Sequence, residues 1–384
     1  MSEYYLWLLQ VMGVANERSV QLLRHFGTAE DAYIGINDSN LHFLKEAEKN
    51  AYKTASVAKS AEIAELAHEH GYNIVTLDDE RYPELLKNIH NPPIVLFVKG
   101  NIDNNNVKLA VVGARTPSDY SYVVAERICR ALAQNSVVIV SGMAVGIDKT
   151  AHCAALKEKG VTFGVLACGF DVDYPKGSKT LRDDIVAHGG AILTEQLPGG
   201  RPELWYFQKR NRIISGLSHG TLVVEADEKS GCIITANHTE DQNRDLFCIP
   251  PQDIFEPRYS GVIPFLKDGA IPVFSHTDIL ENYLIREKKP PVAEKPHFVA
   301  ASVLPAPATS PQKPKTFPNE NRNEPENLSE SQAKIYQLLK AGECTLDFLS
   351  EHSGLNFNTL NEALLELEID GLVVGVGASK YKLN

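Results

Sequence analysis

The sequence predicts an α/β fold: a Rossmann-like, doubly wound and mainly parallel sheet, with an N-terminal helical domain and a C-terminal winged-helix domain. Three observations support this prediction. Short apolar runs rich in Val and Ile alternate with helix-length segments through the middle of the chain, which is typical of a parallel sheet covered on both faces. A helical pattern precedes this region. A proline-rich stretch follows it and leads to three predicted helices and two strands.

The N-terminal domain, residues 1–72, is predicted to be helical. Helices are expected at Tyr4–Gln10 and Glu17–Phe26, followed by a longer helical stretch around Glu46–Gly71. This arrangement resembles a helix-hairpin-helix or SAM-like module, in which backbone N–H groups can face phosphate. Ala15 stands where such hairpins usually carry their second glycine. We therefore expect a structural or partner-binding role for this domain.

The central domain, residues 73–285, carries the strands of the predicted sheet. The strands are expected at Ile74–Leu77, Ile94–Val98, Leu109–Val112, Val137–Val140, Val161–Ala167, Ala191–Thr194, Thr221–Val224 and Leu246–Ile249. Helices are expected to begin near Tyr122, Ile147, Ser178, Glu203, Cys232 and Gly261. Because apolar strands alternate with helices, the sheet is predicted to be buried on both faces.

Residues 286–327 contain nine prolines and almost no apolar periodicity, so we expect a disordered, semi-extended linker.

Residues 328–384 are predicted to form the winged helix. Its helices are expected at Ser329–Lys340, Leu346–His352 and Phe357–Asp370, and its strands at Leu372–Gly375 and Lys380–Leu383. The third helix carries four carboxylates and no Lys or Arg. Since a winged helix that reads DNA needs a cationic third helix, contact with a protein is the better interpretation.

Charge and cysteine usage limit the partners and the compartment. The formal net charge is −11, but residues 107–250 carry 16 basic and 16 acidic residues, which allows a local basic patch and excludes a polycationic surface. No apolar run reaches the roughly 18 residues that span a bilayer, and the N-terminus lacks the basic flank of a secretory signal. We expect a cytoplasmic protein with reduced, scattered cysteines and no metal or other cofactor.

Glycines and cations follow the predicted strands. The loops include Gly113–Ser118, Ser141–Lys149 and Tyr174–Lys179, and they are expected to meet at the carboxyl edge of the sheet, near the reversal of strand order. Glycines let the backbone approach a phosphate, helix N-termini present free N–H groups, and Arg or Lys supplies the opposite charge. A tight turn explains each glycine alone, but several such loops at one edge favour anion binding.

A third group of cations lies in the segment Phe207–Gly216. On a helix, Lys209 and Arg212 share a face and Arg210 points elsewhere; a solvated face with salt bridges explains this group equally well. Nearby aromatic residues are expected mostly in the core, although one or two could stack on bases. These aromatic residues are Phe170, Tyr174, Trp205, Tyr206 and Phe207.

Two nucleotide-binding motifs are missing from the sequence. A dinucleotide site is not expected, because no G-x-G-x-x-G run occurs. The segment Gly142–Thr150 has the wrong spacing for the G-x-x-x-x-G-K-[ST] phosphate loop, so no ATPase is predicted.

The ordered motifs of the chain resemble those of the DNA-processing protein A (DprA/Smf) family. The motifs are Val111–Arg115 with Ser118 and Tyr120, Ser141–Asp148 with Ala151-His152, Tyr174-Pro175, Arg210–Ser218, and Val223–Ala226 with Ser230-Gly231 and Thr235-Ala236. This resemblance covers about residues 80–270. The helical N-terminal module and the winged-helix tail match the architecture of longer members.

The resemblance implies a dimeric DNA-binding protein that is not an enzyme. It would bind single-stranded DNA in a basic pocket, displace single-strand-binding protein and load the RecA recombinase during natural transformation. The implied DNA-contact residues are Gly113, Arg115, Ser118, Gly142, Lys176, Lys179, Arg210 and Arg212, with Lys149 and His152 as weaker candidates.

An enzyme on a related fold is the alternative interpretation. Nucleotide phosphoribohydrolases of the LOG type resemble this chain at Gly220–Glu225, where Glu225 could be a catalytic carboxylate. Their preceding P-G-G-x-G-T run is missing, and Ser218-His219 stands before Gly220 instead. A carboxylate at a strand end is also often a helix cap or a partner of Arg. The sequence therefore favours binding over catalysis.

Overall fold

The computed structural model describes residues 2–37, 39–102, 105–284, 328–340, 342–355, 359–360, 363–364, 367, 372–375 and 380–383. Contacts between residues divide the chain into two compact units, residues 1–297 and residues 298–384. The segment 286–327, predicted to be a linker, lies outside the described residues.

The first unit begins with helices. They are α1 (Ser2–Met12), α2 (Glu17–Phe26), α3 (Ala29–Gly35), α4 (Glu46–Tyr52) and α5 (Val57–Glu69). The single longer stretch expected at Glu46–Gly71 is wrong, because the chain forms two helices there. The Ser56 side chain accepts a hydrogen bond from the Lys59 amide and caps the second helix.

Helix α1 is buried against the sheet. Leu6, Trp7 and Leu8 are at most 2% exposed, and the side chains of α1 share one apolar cluster with Val95 and Phe97 of the sheet. The N-terminal helices therefore have no separate core. The domain boundary at residue 72 stays a prediction.

Among the described residues, nine strands form one sheet in the first unit. They are β1 (Asn73–Thr76), β2 (Val95–Gly100), β3 (Lys108–Val112), β4 (Val138–Ser141), β5 (Thr162–Val165), β6 (Ala191–Thr194), β7 (Gly220–Val223), β8 (Asp245–Cys248) and β9 (Ile271–Pro272). Their order is β1-β2-β6-β5-β4-β3-β7-β8-β9. The seven neighbouring strands β6-β5-β4-β3-β7-β8-β9 pair in parallel. The pairs β1-β2 and β2-β6 are antiparallel.

Helices cover both faces of the sheet. They are α6 (Glu84–Lys87), α7 (Asp119–Gln134), α8 (Ile147–Lys157), α9 (Lys179–Ala187), α10 (Leu204–Gly216), α11 (Cys232–Asp241), α12 (Val262–Lys267) and α13 (His276–Asn282). Alternate residues of β3 point to opposite faces: Val112 packs in the cluster that contains Ile213 of α10, and Val111 in the cluster that contains Leu132 of α7. The predicted doubly wound, mainly parallel sheet is confirmed.

The strand order reverses at β3. The chain places β4, β5 and β6 on one side of β3 and then crosses to place β7 on the other side. In sheets of this type, the loops after the two strands at the reversal separate and leave a crevice at their carboxyl ends.

The described residues of the second unit include two helices and three strands, in agreement with a winged helix. They are α14 (Glu330–Leu339), β10 (Cys344–Thr345), α15 (Leu346–Ser353), β11 (Val373–Gly375) and β12 (Lys380–Leu383), with strand order β10-β12-β11. Leu360, Leu364 and Leu367 pack with Ile335 and Leu349 in its apolar core. The four carboxylates of the predicted third helix lie outside the described residues.

Further features of the described residues bear on cofactors and membranes. The six cysteines are free. No group of three His, Cys, Asp or Glu side chains that could hold a metal ion occurs within the described ranges. No helix in the described part of the chain is long and apolar enough to cross a membrane.

Candidate nucleic-acid interface

A cavity of about 800 Å³ opens at the carboxyl ends of β3 and β7, where the strand order reverses. Its walls come from the loops after these two strands, from the starts of α8 and α11, from one face of α10 and from Arg258 after β8. The cavity is lined among others by Gly113, Ala114, Arg115, Thr116, Asp148, Phe207, Gln208, Arg210, Glu225, Asp227, Glu228, Lys229 and Arg258. Of the loops predicted to meet, those after β3 and β4 both line the cavity, whereas Tyr174–Lys179 lies outside its lining.

Two glycines set the shape of the loop after β3. A Cβ atom on Gly113 would lie 2.8 Å from a side-chain carbon of Ile147. Gly146 has a φ of +80°, and a Cβ atom there would lie 2.4 Å from the carbonyl oxygens of both Ala114 and Arg115. The loop therefore lies directly against the N-terminus of α8, which holds Arg115 at the mouth of the cavity.

Arg115 is exposed and lies over an aromatic ring. Its Cζ atom is 5.4 Å from the centroid of the Phe207 ring, which is within the range of a cation–π contact. The Phe207 ring in turn lies 5.5 Å from the ring of Tyr174. We call Arg115, Phe207 and Tyr174 the cation–aromatic row. The row joins the loop after β3, helix α10 and the loop after β5.

Ser118 and Glu225 anchor the base of the same loop. The backbone N–H and the hydroxyl of Ser118 both donate to Glu225 Oε2, at 2.9 and 2.6 Å. Ser118 Oγ accepts from the Ser121 amide and caps α7. Glu225 is 1% exposed, and its Oε1 lies 3.8 Å from Nη1 of Arg258. Ser118, expected to contact DNA, is thus engaged within the protein.

Arg210 lines the floor of the cavity and is 5% exposed. Its Nη1 donates to the carbonyl oxygens of Gly142, at 2.7 Å, and of Val165. Asp148 Oδ2 accepts from the Gly142 amide at 3.1 Å. Burial lowers the pKa of Arg210 to about 10 and raises the pKa of Asp148, while the attraction between these charges opposes both shifts. Arg210 therefore stays charged near neutral pH and holds the turn after β4 against α10.

Gly142 has no room for a side chain beside this pair. A Cβ atom on it would lie 2.6 Å from an Arg210 nitrogen and 2.8 Å from Asp148 Oδ2. Because its N–H already donates to Asp148, the N–H group is not free for a phosphate. The structure gives Gly142 a packing role.

Two expected DNA contacts are not supported by the structure, because neither side chain reaches the surface. Arg212 is 5% exposed and pairs with Glu195 Oε2 at 2.7 Å. His152 is fully buried, and its Nδ1 lies 2.7 Å from the hydroxyl of Thr162. That hydroxyl donates to the Ile139 carbonyl oxygen, so Nδ1 carries the proton of a neutral imidazole.

Lys149, Lys176 and Lys179 are exposed at the same edge of the sheet. Lys149 lies in the first turn of α8, Lys179 begins α9, and Lys176 lies in the loop between β5 and α9. We call these three residues the lysine stretch. All three lie outside the lining of the cavity. Tyr174 precedes Lys176 in the loop between β5 and α9, and its ring contact with Phe207 connects this loop to the cation–aromatic row.

Arg258 and Lys229 also line the cavity, although neither is among the DNA contacts that the resemblance implies. Both are exposed. Arg258 follows β8, which pairs with β7, so a search of every loop after a strand would have found it. Asp227 and Glu228 line the cavity as well and are exposed. The side of the cavity formed by the loop after β7 is therefore mixed in charge, whereas Arg115 stands on the opposite side.

Comparison with known families identifies two parts of the chain. The model of the family "DNA recombination-mediator protein A" matches residues 73–284, and that of the "DprA winged helix domain" matches residues 319–377. The DNA processing protein DprA of Bacillus subtilis is 40% identical over 215 residues, which are 56% of this chain and 72% of that protein. Protein Smf of Synechocystis is 31% identical, and the alignment covers 99% of each chain.

Two solved structures share the fold. The structure of DNA processing protein A from Streptococcus pneumoniae superposes with a TM-score of 0.62 at 32% identity and covers 73% of this chain and 98% of that one. DNA processing protein A from Helicobacter pylori superposes with a TM-score of 0.50 at 29% identity, covering 56% and 95%. The description of the latter structure refers to a unique single-stranded DNA binding mode.

Proposed function

Because the chain belongs to the DNA recombination-mediator protein A family, we propose that it binds single-stranded DNA at the carboxyl edge of its sheet and passes the strand to a recombinase. Membership rests on a family match that spans 73–284 and on protein Smf of Synechocystis, which aligns over 99% of this chain at 31% identity. The single-stranded DNA binding attributed to the Helicobacter pylori protein supports this proposal.

We further propose that the protein acts in the cytoplasm as a homodimer and does not catalyse a reaction itself. It would protect incoming single strands during natural transformation, displace single-strand-binding protein and load RecA. We expect it to increase the DNA-dependent ATPase activity of RecA on strands coated with single-strand-binding protein. Unchanged ATPase activity, measured with a protein that binds bare single strands, would remove the loading role and leave the binding role intact.

The position of Arg115 is the observation that carries the proposal. Its guanidinium is exposed at the mouth of the cavity, and within the described residues no acidic side chain pairs with it. Its contact with Phe207 orients it without using its N–H donors. A planar guanidinium with free donors is suited to binding phosphate oxygens.

The charges indicate the direction of the strand along the edge. From Arg115, the cation–aromatic row leads toward the loop after β5 and the lysine stretch. On the other side, Asp227 and Glu228 would repel phosphates. We therefore propose that the strand runs from the cavity across the ends of β4 and β5. Alanine at both Lys176 and Lys179 should then reduce the slope of log affinity against log salt concentration, by about 0.7 for each lost phosphate contact.

Binding of a fluorescent 30-mer of oligothymidine, measured by fluorescence anisotropy at two salt concentrations, tests the central proposal. The wild-type chain should prefer the single strand over the same strand in a duplex, and its affinity should fall with salt. Arg115→Ala should raise the dissociation constant about tenfold, which corresponds to one charged contact of about 1.4 kcal/mol. Arg127→Ala is the matched control, because Arg127 is an exposed cation of α7 outside the cavity lining.

Equal losses in Arg115→Ala and Arg127→Ala would indicate general charge attraction and contradict a defined site. No binding by the folded wild-type chain would remove the DNA-binding proposal altogether.

The phosphoribohydrolase alternative depends on Glu225, which lines the cavity. However, Glu225 is almost fully buried, and Ser118 and Arg258 occupy its carboxylate. It therefore resembles a structural acceptor more than a general base facing a substrate. If the wild-type chain releases adenine from AMP and Glu225→Gln does not, the phosphoribohydrolase alternative would be favoured over DNA binding.

A further inference from the structure

Five aromatic residues lie near the proposed DNA edge, and they differ in exposure. Phe170 is 5% exposed and belongs to the apolar core. Tyr174, Tyr206 and Phe207 are half-buried. Trp205 is 44% exposed. Since a base can stack only on a ring with an open face, exposure alone removes Phe170 from the candidates.

The contacts of the half-buried rings leave little open surface. The Arg115 guanidinium lies over the Phe207 ring, and the Tyr174 ring contacts the same ring at 5.5 Å. Tyr206 lies against Trp205, with 3.6 Å between the ring centroids. These three rings serve mainly to position Arg115 and Trp205.

Trp205 is exposed but fixed in position. The Tyr206 ring supports its indole at an interplanar angle of 35°. The indole Nε1 donates to Glu203 Oε2 at 2.7 Å. A ring that is supported on one side and hydrogen-bonded at its edge loses little conformational entropy when a ligand stacks on it. Such a ring forms a preorganised platform.

The position of Trp205 on α10 places it beside the cavity. Leu204, which is 75% exposed, and Phe207 both line the cavity, and Trp205 lies between them in the chain. Trp205 and Phe207 are two positions apart on α10, which is an axial distance of about 3 Å but places their side chains on different faces of the helix. Trp205 therefore lies beside the face of α10 that lines the cavity, not on it, and a strand that meets both the platform and the Arg115 guanidinium would cross the first turn of this helix.

We propose that Trp205 is a base-stacking residue of the single-strand site. One base of the strand stacks on the indole while a phosphate elsewhere on the same strand binds Arg115. This inference rests on the proposed function and adds to it the source of strand selectivity: bases in a duplex are already stacked on each other and cannot offer a face to Trp205.

A strand without bases separates stacking from a merely structural role of Trp205. Binding of the full chain to oligothymidine and to an abasic strand of equal length is measured by anisotropy. Trp205→Ala should weaken oligothymidine binding about tenfold and abasic binding by less than about twofold, since stacking on one base accounts for the difference. Trp205→Phe should recover most of the affinity. Phe274→Ala is the matched control, because Phe274 is 79% exposed and lies outside the cavity lining.

Intrinsic fluorescence provides a second readout. The chain has two tryptophans, and the other, Trp7, is 2% exposed in the core. Oligothymidine should therefore quench the wild-type emission, and the quenching should disappear in Trp205→Phe while anisotropy still reports binding.

The outcomes distinguish this inference from the function on which it rests. If Trp205→Ala binds oligothymidine as tightly as the wild type while Arg115→Ala does not, the stacking role is wrong and the proposed function stands. Equal losses of Trp205→Ala on both strands would also overturn stacking, because they would show a structural effect. If the wild type binds neither strand, both proposals are overturned.

Discussion

At the scale of single residues, burial decides what each arginine of the sheet edge does. Arg115 is exposed and able to meet a ligand, whereas Arg210 and Arg212 are 5% exposed. A buried guanidinium must be paired within the protein, because an unpaired buried charge is very costly. Arg210 faces Asp148 and backbone carbonyls, and Arg212 faces Glu195. The same residue type is therefore accessible to a ligand in one place and a fixed structural element in the others.

Arg212→Leu should destabilise the protein by about 3–5 kcal/mol, because it leaves Glu195 buried without its partner. The second change Glu195→Leu should restore most of this loss, since two apolar side chains need no pairing. Chemical denaturation measures both effects. Arg115→Ala is the contrasting variant, with unchanged stability and weaker DNA binding. A stable Arg212→Leu protein with weak DNA binding would instead show that Arg212 contacts the strand.

His152 should make stability depend on pH. Burial lowers its pKa to about 3, below the value of about 6.5 for a free imidazole. As pH falls, the unfolded chain takes up the proton first, so the contribution is complete above about pH 6.5 and is lost progressively toward pH 3. Between pH 6.5 and 5.0, the wild type should lose about 2 kcal/mol more stability than His152→Leu.

The change in the free energy of unfolding with pH is compared between the wild type and His152→Leu. This comparison isolates His152, because both proteins retain His219 and His238, whose pKa values are also lowered by burial. Parallel pH profiles of the free energy of unfolding in the two proteins would contradict the neutral, buried imidazole.

The sequence could indicate the residue types of the site but not their burial. Arg115 and Gly113 were predicted and line the cavity. The roles of Arg210 and Arg212 depend on Asp148 and Glu195, which come from other elements and approach only in the folded chain. No local pattern contains that information.

At the scale of elements, the contact between the loop after β3 and the start of α8 positions the cation–aromatic row. Gly146→Ala should disturb this contact, because the new Cβ would lie 2.4 Å from two carbonyl oxygens. We expect a loss of stability of about 1–3 kcal/mol from overpacking, in addition to the cost of the positive φ, together with weaker binding of oligothymidine, since Arg115 moves with the loop.

Gly189→Ala is the matched control for this prediction. Gly189 has the same φ of +80°, but a Cβ atom there would meet nothing within 4 Å. It should show only the cost of a left-handed backbone, about 1–2 kcal/mol, with unchanged DNA binding. Equal binding by the two variants in anisotropy would indicate that the loop position does not matter for the strand.

Elements with strong local signals were predicted closely. The predicted bounds of α2, β6 and β12 agree with the structure, because apolar runs and turn residues mark their ends. The antiparallel pairing of β1 and β2 was not predicted, since an apolar run does not encode the direction of its neighbour. The short strand β9 has two residues, too few for any periodicity. Ser56 was a readable cap signal, and it would have divided the stretch at Glu46–Gly71.

At the scale of the whole molecule, charge is distributed unevenly along the chain. Residues 107–250, which carry the proposed site, have 16 basic and 16 acidic residues, whereas residues 328–384 have 4 basic and 8 acidic ones. The negative second unit is unsuited to binding phosphates. Its match to a winged-helix family therefore does not by itself indicate a DNA-binding role.

Deletion of residues 286–384 tests this separation of roles. The truncated chain should bind oligothymidine at least as tightly as the full chain, because a negatively charged unit repels DNA. Any gain should be larger at low salt, where the Debye length grows from about 10 Å at 0.1 M toward about 30 Å at 0.01 M and the repulsion is less screened. Anisotropy at these two salt concentrations measures the difference. Weaker binding after deletion would show that the winged helix contacts the strand itself, and the interpretation of this unit as a protein-binding module would then be wrong.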